Sequence, residues 1–327
     1  MKPIAVDAMA GDKGPSEVVA GARRAADELQ VPVVLIGRPD QIGDTGGLEV
    51  WEATEVVDMG DDPAQGVRRK KDASVVRAAE AVRDGRASAM VSAGNTGAAM
   101  ASALLRMGRI KGVQRPAIAT PLPVPGSTPT VLLDAGANSE CTPGWLVQFA
   151  QMGAAFATAR FGIDEPKVAL LSIGEEPTKG TPLVKEANAL LSEPGRLSGA
   201  RFVGNVEGRH LLSDAADVVV TDGFTGNVVL KTLEGGVKVL IDALLGVMTS
   251  TEEATAATNT LLPLLLPLQE ELDAETYGGA MLLGIDGVCI ISHGASSSRA
   301  IFNAVGVARD MVAGGLVDRI RQSVTPV

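Results

Sequence analysis

The sequence predicts an α/β fold in which the strands of a mostly parallel sheet alternate with helices. Short apolar runs recur along the chain, and each is followed by a glycine-rich polar turn and then by a segment with helical periodicity. The clearest examples are three consecutive runs that begin at Val168, Arg201 and Val218. They indicate parallel strands that deliver their loops to one edge of the sheet, where ligands bind in open α/β folds. We expect the chemistry at that edge.

The N-terminal part of the chain predicts two strands and a helix. Apolar residues at 4–7 and 33–36 form the strands, and residues 16–29 form the helix, with Pro15 suited to its first turn. Residues 41–47 are rich in glycine and predict a loop, after which Val56 and Val57 begin a short strand.

A further amphipathic helix is predicted over residues 67–83, and its beginning is cationic. Arg68, Arg69, Lys70 and Lys71 are consecutive in the sequence. A run of this kind is usually a solvated face, but it also suits the docking of an acidic partner.

The central and C-terminal parts of the chain repeat the strand and helix pattern. Residues 89–92, 131–134 and 288–292 predict strands. A helix over residues 144–161 and a last helix with serines near its N-cap are also expected. Residues 116–129 contain several prolines and predict a covering loop.

The pattern changes in residues 226–278, which predict a protruding helical hairpin with an apolar tip. The leucines of this tip that we expect to be exposed are Leu262, Leu264, Leu265 and Leu266. Such a tip marks an oligomer contact or a membrane-surface contact, although burial against the same protein is equally compatible. Residues 239–298 contain no Lys or Arg, so membrane attachment would depend on the insertion of leucines.

Composition excludes several classes of protein. The 327 residues carry a net charge of −10, which argues against a nucleic-acid partner. The two cysteines, Cys141 and Cys289, form no CxxC pair, so a disulfide framework or zinc ribbon is not supported. The N-terminus lacks the pattern of a signal peptide, and no long apolar run predicts a membrane span. We therefore predict a cytoplasmic protein with a single α/β domain over residues 1–327.

Common catalytic signatures are absent from the sequence. The G-x-G of dinucleotide-binding proteins, the P-loop, HExxH and G-x-S-x-G do not occur, and the two histidines lack metal-ligand spacing. No metal and no cofactor is therefore expected. What remains is a set of glycine-rich turns before helices, whose amides and helix dipoles favour an anion such as phosphate. The candidate ligands in these turns are Asn95, Thr96, Gly97, Thr225, Gly226, Asn227 and His293.

Two lysines and one aspartate complete the candidate site. Lys179 stands in a loop between Gly174 and Gly180, and Lys231 follows Asn227 by four residues on a helix. For any single lysine, however, ordinary surface charge is the commoner interpretation. Asp222 suits either the orientation of a lysine or the capping of the helix.

These motifs resemble the bacterial phosphate acyltransferase family of phospholipid synthesis, the PlsX family, over nearly the whole chain and in the same order. The longest matching segment is 222–232, which contains Asp222-Gly-Phe-Thr-Gly-Asn227. The other segments that carry the resemblance are 5–12, 92–97, 132–138, 173–180, 204–207, 277–279 and 293–294.

The resemblance implies a Rossmann-like three-layer α/β/α sandwich similar to phosphotransacetylases and isocitrate dehydrogenases. It implies an enzyme that transfers a long-chain fatty acyl group from acyl carrier protein to inorganic phosphate. The acyl phosphate would then pass to a glycerol-3-phosphate acyltransferase. The family also implies a homodimer attached peripherally to the membrane.

The mechanism that we expect needs no nucleophilic side chain, because phosphate itself attacks the thioester. Lys179 and Lys231 would supply the positive charge, and Asn138 and Asn205 are further candidates for binding phosphate. Two other functions fit the residues. One is a phosphotransacetylase-like enzyme that uses short acyl-coenzyme A, and the other is a non-enzymatic membrane scaffold.

Overall fold

A computed structural model describes residues 1–324 and shows a single eleven-stranded sheet within them. In chain order the strands, β1 to β11, are Ile4–Asp7, Val33–Gly37, Glu49–Glu52, Ala89–Ser92, Ala117–Leu122, Thr130–Leu133, Lys167–Ser172, Arg201–Glu207, Val218–Val220, Ala280–Leu283 and Val288–Ile291. Their order across the sheet is β3-β2-β1-β4-β11-β10-β5-β6-β9-β7-β8. Most neighbouring pairs are parallel, as the alternation of strands and helices predicts.

Helices cover both faces of the sheet. In chain order the helices, α1 to α11, are Pro15–Leu29, Pro39–Ile42, Pro63–Arg69, Ser74–Arg83, Thr96–Arg106, Pro143–Phe161, Pro182–Leu191, Gly223–Met248, Glu252–Leu272, Ser298–Ala313 and Leu316–Ser323. Helices α1, α6 and α10 pack on one face, where alternate strand residues such as Ile4 and Val6 point. Helices α4 and α5 pack on the other face with Ala5. The predicted α/β/α sandwich with a mostly parallel sheet is thus confirmed.

The sheet contains two sets of parallel strands that run in opposite directions. Strand β10 is antiparallel to both β11 and β5, and β5 is antiparallel to β6. These three reversals make β6, β9, β7 and β8 run opposite to β1, β4 and β11. The turns that follow β4 and β11 therefore leave one edge of the sheet, and the turns that follow β7, β8 and β9 leave the opposite edge. The runs that begin at Val168, Arg201 and Val218 thus deliver their turns to one edge, as predicted, but the turns at Asn95 and His293 lie at the opposite edge and do not join them.

Two predictions about strands are also wrong. The segment 116–129 is not a covering loop, because β5 occupies Ala117–Leu122 and pairs with β10 and β6. Its Pro121 lies beyond the part of β5 that pairs with β10, where a missing N–H is tolerated. The predicted strand at Val56 is displaced, because β3 ends at Glu52 and the following chain forms only an isolated bridge from Glu55 to Ala73.

The predicted helix over residues 67–83 is divided into α3 and α4. Between them the carboxylate of Asp72 accepts hydrogen bonds from the backbone N–H of Thr54, at 2.9 Å, and from its hydroxyl, at 2.6 Å. The N–H of Asp72 in turn donates to Glu55 at 3.0 Å. These bonds tie the chain to a neighbouring segment at the point where the helix would have continued.

Helices α8 and α9 project their apolar residues into solvent. They meet at a polar turn over residues 249–251, where the Thr258 hydroxyl donates to the Met248 carbonyl at 2.7 Å. The leucine run lies within α9 and not at the turn, so the predicted position at the tip is wrong. Leu264 is nevertheless 75% exposed. Of the predicted 1–327 domain, residues 325–327 lie outside the described part of the chain.

Within residues 1–324 no single helix is long and apolar enough to span a membrane. Helices α10 and α11 reach the necessary length and hydropathy only when taken together, and they are bent by 55° relative to each other.

Candidate active site

A cavity of about 400 Å³ lies on the α5 face of the sheet, near its centre. Its floor is formed by β5, by the start of β10 and by the end of β11, and its sides by α5, α8 and residues 274–279. Four residues of the predicted site line it, namely Thr96, Asn227, Lys231 and His293. The remaining lining is largely apolar and includes Ile118, Leu230 and Ile291.

Helix α8 begins at the opposite edge of the sheet and runs across the face to reach this cavity. Its N-terminus rests on the turn after β6, where Gly223 N–H donates to the Asn138 carbonyl at 2.7 Å. A side chain at Gly226 would overlap the carbonyl oxygen of Asp134, so only glycine allows this approach. The close contact places Asn227 and Lys231 at the cavity although β9 ends at the far edge.

The turn beneath α8 is held by the buried carboxylate of Asp134. It accepts hydrogen bonds from the backbone N–H groups of Ile118, Gly136, Ala137 and Asn138, at 2.8 to 3.1 Å, and from the side-chain amide of Asn138 at 2.8 Å. A carboxylate with this many donors fixes the loop rigidly. Segment 132–138, which carries part of the family resemblance, therefore holds the N-terminus of α8 in place.

The N-terminus of α5 borders the cavity through Thr96. The side chain of Asn95 caps this helix by accepting from Ala98 N–H at 3.0 Å. The N–H groups of Thr96 and Gly97, by contrast, have no hydrogen-bond partner among residues 1–324. Two unpaired amides at the positive end of a helix favour an anion. A side chain at Gly97 would also collide with Pro63 of α3.

Lys231 and Glu234 form an ion pair in the cavity wall. The Lys231 Nζ atom lies 2.8 Å from Glu234 Oε2, and both side chains are about half exposed. The side-chain amide of Asn227, one turn earlier, has no partner within the described residues and is exposed. The ammonium group and the amide therefore remain able to turn towards an anionic ligand.

His293 adds a hydrogen-bond donor to the cavity. Its Nδ1 atom accepts from Ala295 N–H at 3.2 Å. A neutral ring that accepts at Nδ1 carries its proton at Nε2, and this N–H has no partner within residues 1–324, so it is available to a ligand.

The N-terminus of α10 also lies near the cavity, but carboxylates already occupy it. Glu17 accepts from Ser298 N–H at 2.7 Å, and Glu275 accepts from Ser297 N–H at 3.0 Å and from its hydroxyl at 2.5 Å. Two anions at one helix end exclude a third by charge repulsion. Phosphate is therefore better accommodated at α5 than at α10.

The other predicted ligands are committed to the fold. Asp222 caps α8, accepting from the N–H and the hydroxyl of Thr225 at 2.8 Å each. The Asn138 amide donates to Pro116 and Asp134. Asn205 accepts from Asn188 and donates to the Glu176 carbonyl, at 2.9 Å each. These side chains stabilise turns.

Lys179 lies outside the cavity lining, on the loop after β7 at the edge away from the α5 turn. Its aliphatic stem folds over Gly174, where a side chain would collide with it, and Lys179 N–H donates to Glu176 at 3.0 Å. Its ammonium group is exposed and has no carboxylate partner within residues 1–324. The catalytic assignment of Lys179 stays a prediction.

Several cavity residues were missed in the sequence. Glu234 follows Lys231 by one helical turn, a spacing that predicts an ion pair. Tyr277 belongs to a matching segment, but its role was not assigned; its hydroxyl donates to the Glu271 carbonyl at 2.8 Å. Thr120 and Ser292 had no signal, because isolated hydroxyl residues in strands are common and only the tertiary fold brings them together.

Comparison with known proteins identifies the family. A family model described as fatty acid synthesis protein matches residues 2–319. The chain belongs to this family. A protein of Desulfitobacterium hafniense strain Y51 named phosphate acyltransferase is 46% identical, over 98% of this chain and 97% of its own. One of Elusimicrobium minutum with the same name is 48% identical, over 98% and 95% of the two chains. The predicted family resemblance is confirmed.

Solved structures share the fold at low sequence identity. A phosphotransacetylase from Streptococcus pyogenes aligns with a TM-score of 0.63 and 18% identity, covering 95% of this chain and 94% of that one. The EutD phosphotransacetylase from Staphylococcus aureus aligns with a TM-score of 0.61 and 16% identity, with the same coverage. At this identity the likeness shows the fold alone.

Proposed function

We propose that this protein is an acyltransferase that moves a long-chain fatty acyl group from acyl carrier protein to inorganic phosphate. The observation that carries the proposal is the cavity itself. It combines the free amides at Thr96 with Asn227, Lys231 and His293, and its floor is apolar. Relatives over nearly the full length are named phosphate acyltransferase. Such a site binds a phosphate dianion beside an apolar acyl group.

The proposed reaction is a direct displacement. An oxygen of HPO₄²⁻ attacks the thioester carbonyl carbon, a C–O bond forms, and the carbonyl electron pair moves onto oxygen. When this intermediate collapses, the C–S bond breaks and the thiolate leaves with the electron pair. The proton of the phosphate ends on the thiolate, so the products are acyl phosphate dianion and carrier thiol. Lys231 and the α5 amides offset the charge on phosphate and hold it beside the carbonyl.

The test is a direct assay of both products. Purified protein is mixed with palmitoyl-acyl carrier protein and phosphate, and free carrier thiol and hydroxylamine-trappable acyl phosphate are measured. We expect equal amounts of both, and none without phosphate. Release from acetyl-coenzyme A, but not from the carrier, would favour the phosphotransacetylase-like alternative. Release from neither would favour a scaffold.

We propose that the carrier docks on α3. This helix packs against the N-terminus of α5, beside the cavity, through the contact of Pro63 with Gly97. Arg68, Arg69 and Lys71 are exposed there. Lys70 is instead held by Asp61, at 2.6 Å, and by the Val56 carbonyl, at 2.7 Å, so it serves the fold. The docking patch is accordingly reduced from four cations to three.

Replacing Arg68, Arg69 and Lys71 by Glu should raise the KM for the carrier substrate by about tenfold or more, because exposed charges mainly steer encounter. The KM for phosphate should not change. Replacement of Arg319 and Arg321 on α11 by Glu is the matched control. Equal carrier KM values in the two variants would reject this docking face.

We further propose that the leucines of α9 attach this protein peripherally to the cytoplasmic face of a membrane. Leu262, Leu264, Leu265 and Leu266 are exposed, and no cation lies within residues 239–298. Attachment through apolar insertion should be equal on neutral and anionic vesicles and independent of salt. Leu264→Glu with Leu266→Glu should abolish flotation with phosphatidylcholine vesicles, whereas Asn259→Glu on the same helix should not. Strong preference for anionic vesicles would contradict this mode.

We propose that α8 forms a homodimer contact. The second half of this helix exposes the apolar residues Val239, Leu240, Leu244, Leu245 and Val247. A patch of this kind on one helix favours pairing with a second copy. Leu240→Glu with Leu244→Glu should yield a monomer by light scattering, and a monomeric wild-type protein would overturn the assignment. The acyl phosphate product would pass to a glycerol-3-phosphate acyltransferase at the same membrane.

A further inference from the structure

A second concave surface lies at the edge of the sheet opposite the N-terminus of α5. It is an open groove of about 500 Å³ between the last turn of α5, the residue before β5 and the first turn of α6. Its lining differs from that of the candidate active site and consists of Leu104, Arg109, Gln114, Arg115, Pro116 and Trp145. The groove thus combines two guanidinium groups with an apolar and aromatic wall.

The loop that carries both arginines is anchored to the interior. Gln148 of α6 is fully buried, and its side-chain oxygen accepts from Gln114 N–H at 2.8 Å. The amide of the same side chain donates to the Gly112 carbonyl at 2.9 Å. Ile110 N–H also donates to the Gly284 carbonyl at 3.0 Å. The backbone of this loop is therefore held in place before any ligand binds.

The two guanidinium groups are oriented by neutral partners. Arg109 donates to the backbone carbonyl of Gln114. The side-chain oxygen of Gln114 accepts from the indole N–H of Trp145 at 2.7 Å. The guanidinium carbon of Arg115 lies 4.9 Å from the centre of the indole ring. Within residues 1–324 neither arginine forms an ion pair, so the other N–H groups of both remain available to a ligand.

A second stack of arginine on tryptophan has carboxylates beside it. Arg86 lies 4.8 Å from the centre of the Trp51 ring. The indole N–H of Trp51 donates to Glu49 at 2.8 Å, and Asp84 is close enough to Arg86 for electrostatic attraction. That stack is neutralised by the chain itself. The stack of Arg115 on Trp145 is not.

The positive charge of the groove is uncompensated in a chain whose net charge is −10. Asp286 is close, because its N–H donates to the Gly108 carbonyl at 3.0 Å, but its carboxylate pairs with Arg321 at 2.7 Å. Lys111 is exposed in the same loop and adds a third cation. Guanidinium groups that are fixed in place and lack a carboxylate suit the oxygens of a phosphate, which they bind in a bidentate manner.

We propose that this groove binds an alkyl phosphate, whose phosphate is held by Arg109 and Arg115. The apolar chain lies against Leu104, Pro116 and Trp145. The volume of the groove is in the range of sites for small molecules. A soluble alkyl or acyl phosphate and the headgroup of phosphatidate in a membrane share this chemistry. The inference does not depend on acyl transfer in the cavity, because other residues recognise the ligand.

The fluorescence of Trp145 reports on this groove once the second of the two tryptophans is removed by Trp51→Phe. Dodecyl phosphate, titrated below its critical micelle concentration, should cause a saturable change in emission. Dodecyltrimethylammonium, which has the same chain and the opposite charge, should cause none. Arg109→Gln and Arg115→Gln should each raise the Kd about tenfold, since each removes a hydrogen bond to a charged group. The Kd should also rise with ionic strength.

Two control variants locate the ligand. Arg86→Gln removes the arginine of the neutralised stack, and Lys231→Met removes the cation of the cavity; both should leave the Kd unchanged. The guanidinium groups of the groove are exposed, so an unchanged Tm will show that their variants are folded. A Kd that rises in Lys231→Met but not in the two groove variants would place the ligand in the cavity and overturn the inference.

Vesicles separate the two sources of the phosphate. A change in Trp145 emission with phosphatidylcholine vesicles that contain phosphatidate, but not with pure phosphatidylcholine, would identify a lipid headgroup. A change with dodecyl phosphate alone would identify a soluble ligand. Either result supports the groove if the double variant Arg109→Gln, Arg115→Gln abolishes it. No response to either probe, or an equal response in the double variant, would overturn the inference.

Discussion

The polar residues of the predicted site fall into two regions that differ in how their hydrogen bonds are used. In the cavity, Thr96 and Asn227 have donors without a partner in the described part of the chain, and Lys231 shares its ammonium group only with the exposed carboxylate of Glu234. Beneath α8 and at the far sheet edge, the side-chain amides of Asn138 and Asn205 donate hydrogen bonds to backbone carbonyls. The second region holds the first in place, because it seats the helix that carries Asn227 and Lys231.

This difference gives each region its own experimental signature. Removal of a free group should reduce activity and leave stability unchanged. Removal of a committed group should reduce stability, because its partner is left buried without a hydrogen bond. The following substitutions test that division, beginning with the largest expected effect.

Lys231→Met should lower kcat/KM for phosphate about 100-fold, the effect of losing about 2.7 kcal/mol of charge stabilisation in the transition state. The Tm should change little, because the pair with Glu234 is about half exposed and such pairs contribute under about 1 kcal/mol. Phosphate-dependent turnover and thermal unfolding measure the two effects. Lys238→Met is the control, since Lys238 pairs with Asp242 on the same helix outside the cavity. Equal turnover in the two variants would contradict the assignment.

Asn138→Ala should lower the free energy of unfolding by about 2–3 kcal/mol. It removes two donors at 2.8 Å and leaves the buried carboxylate of Asp134 with one fewer hydrogen bond. Denaturant titration measures the loss. Molecules that remain folded should keep near-normal kcat. Normal stability with a low kcat would instead show that Asn138 acts in the reaction and does not serve the fold.

The fold was largely predictable from sequence because its signals are local. Apolar runs, glycine turns and helix caps recur in order, and nearly all the predicted strands are present. The strand Ala117–Leu122 was missed because its prolines outweighed its apolar residues. The break between α3 and α4 depends on hydrogen bonds that Thr54 donates to the carboxylate of Asp72, eighteen positions later, and no local pattern reveals them.

The site was only partly predictable because it depends on strand direction. A turn after β9 and a turn after β4 look alike in sequence, but the antiparallel strands β10 and β5 place them at opposite edges. Thr96 and His293 reach the cavity from one edge, and Lys231 reaches it only because α8 crosses the face. Lys179 lies in a turn of the same type, but no helix carries it across the face of the sheet to the cavity. Long-range register, and not motif content, decides which turns meet.

Asn205→Ala tests the loop that carries Lys179. It should lower the free energy of unfolding by about 1–2 kcal/mol, since Asn205 links Asn188 to the Glu176 carbonyl. The sequence motif predicts that Lys179→Ala abolishes turnover. The geometry predicts a loss of less than about tenfold, the scale of an exposed charge acting at a distance. If both variants lose turnover while Tm falls only in Asn205→Ala, the loop closes over the cavity during the reaction and Lys179 joins the first region.

Asp7 provides the smallest and most specific test of the committed region. Burial raises the pKa of its carboxyl above the ordinary value of 3.8, although hydrogen bonds from Ser74, Ser92 and the Met9 N–H partly oppose this. A carboxyl whose pKa is raised by folding stabilises the protein when protonated. That contribution is complete below the unfolded pKa and is lost as pH rises through the folded pKa, by about 1.4 kcal/mol per unit of elevation. The unfolding free energy of the wild-type protein minus that of Asp7→Asn should therefore increase as pH falls.

Asp72 is the matched control, because its pKa shifts in the opposite direction. Hydrogen bonds from Thr54 lower the pKa of this carboxyl. Its contribution to stability is present above the unfolded pKa and is lost as pH falls through the folded pKa. The unfolding free energy of the wild-type protein minus that of Asp72→Asn should therefore decrease as pH falls. Urea unfolding of the three proteins between about pH 4 and 7 measures both slopes, and the common titration of all other carboxyls cancels. Slopes of the same sign would mean that burial does not keep Asp7 from ionising.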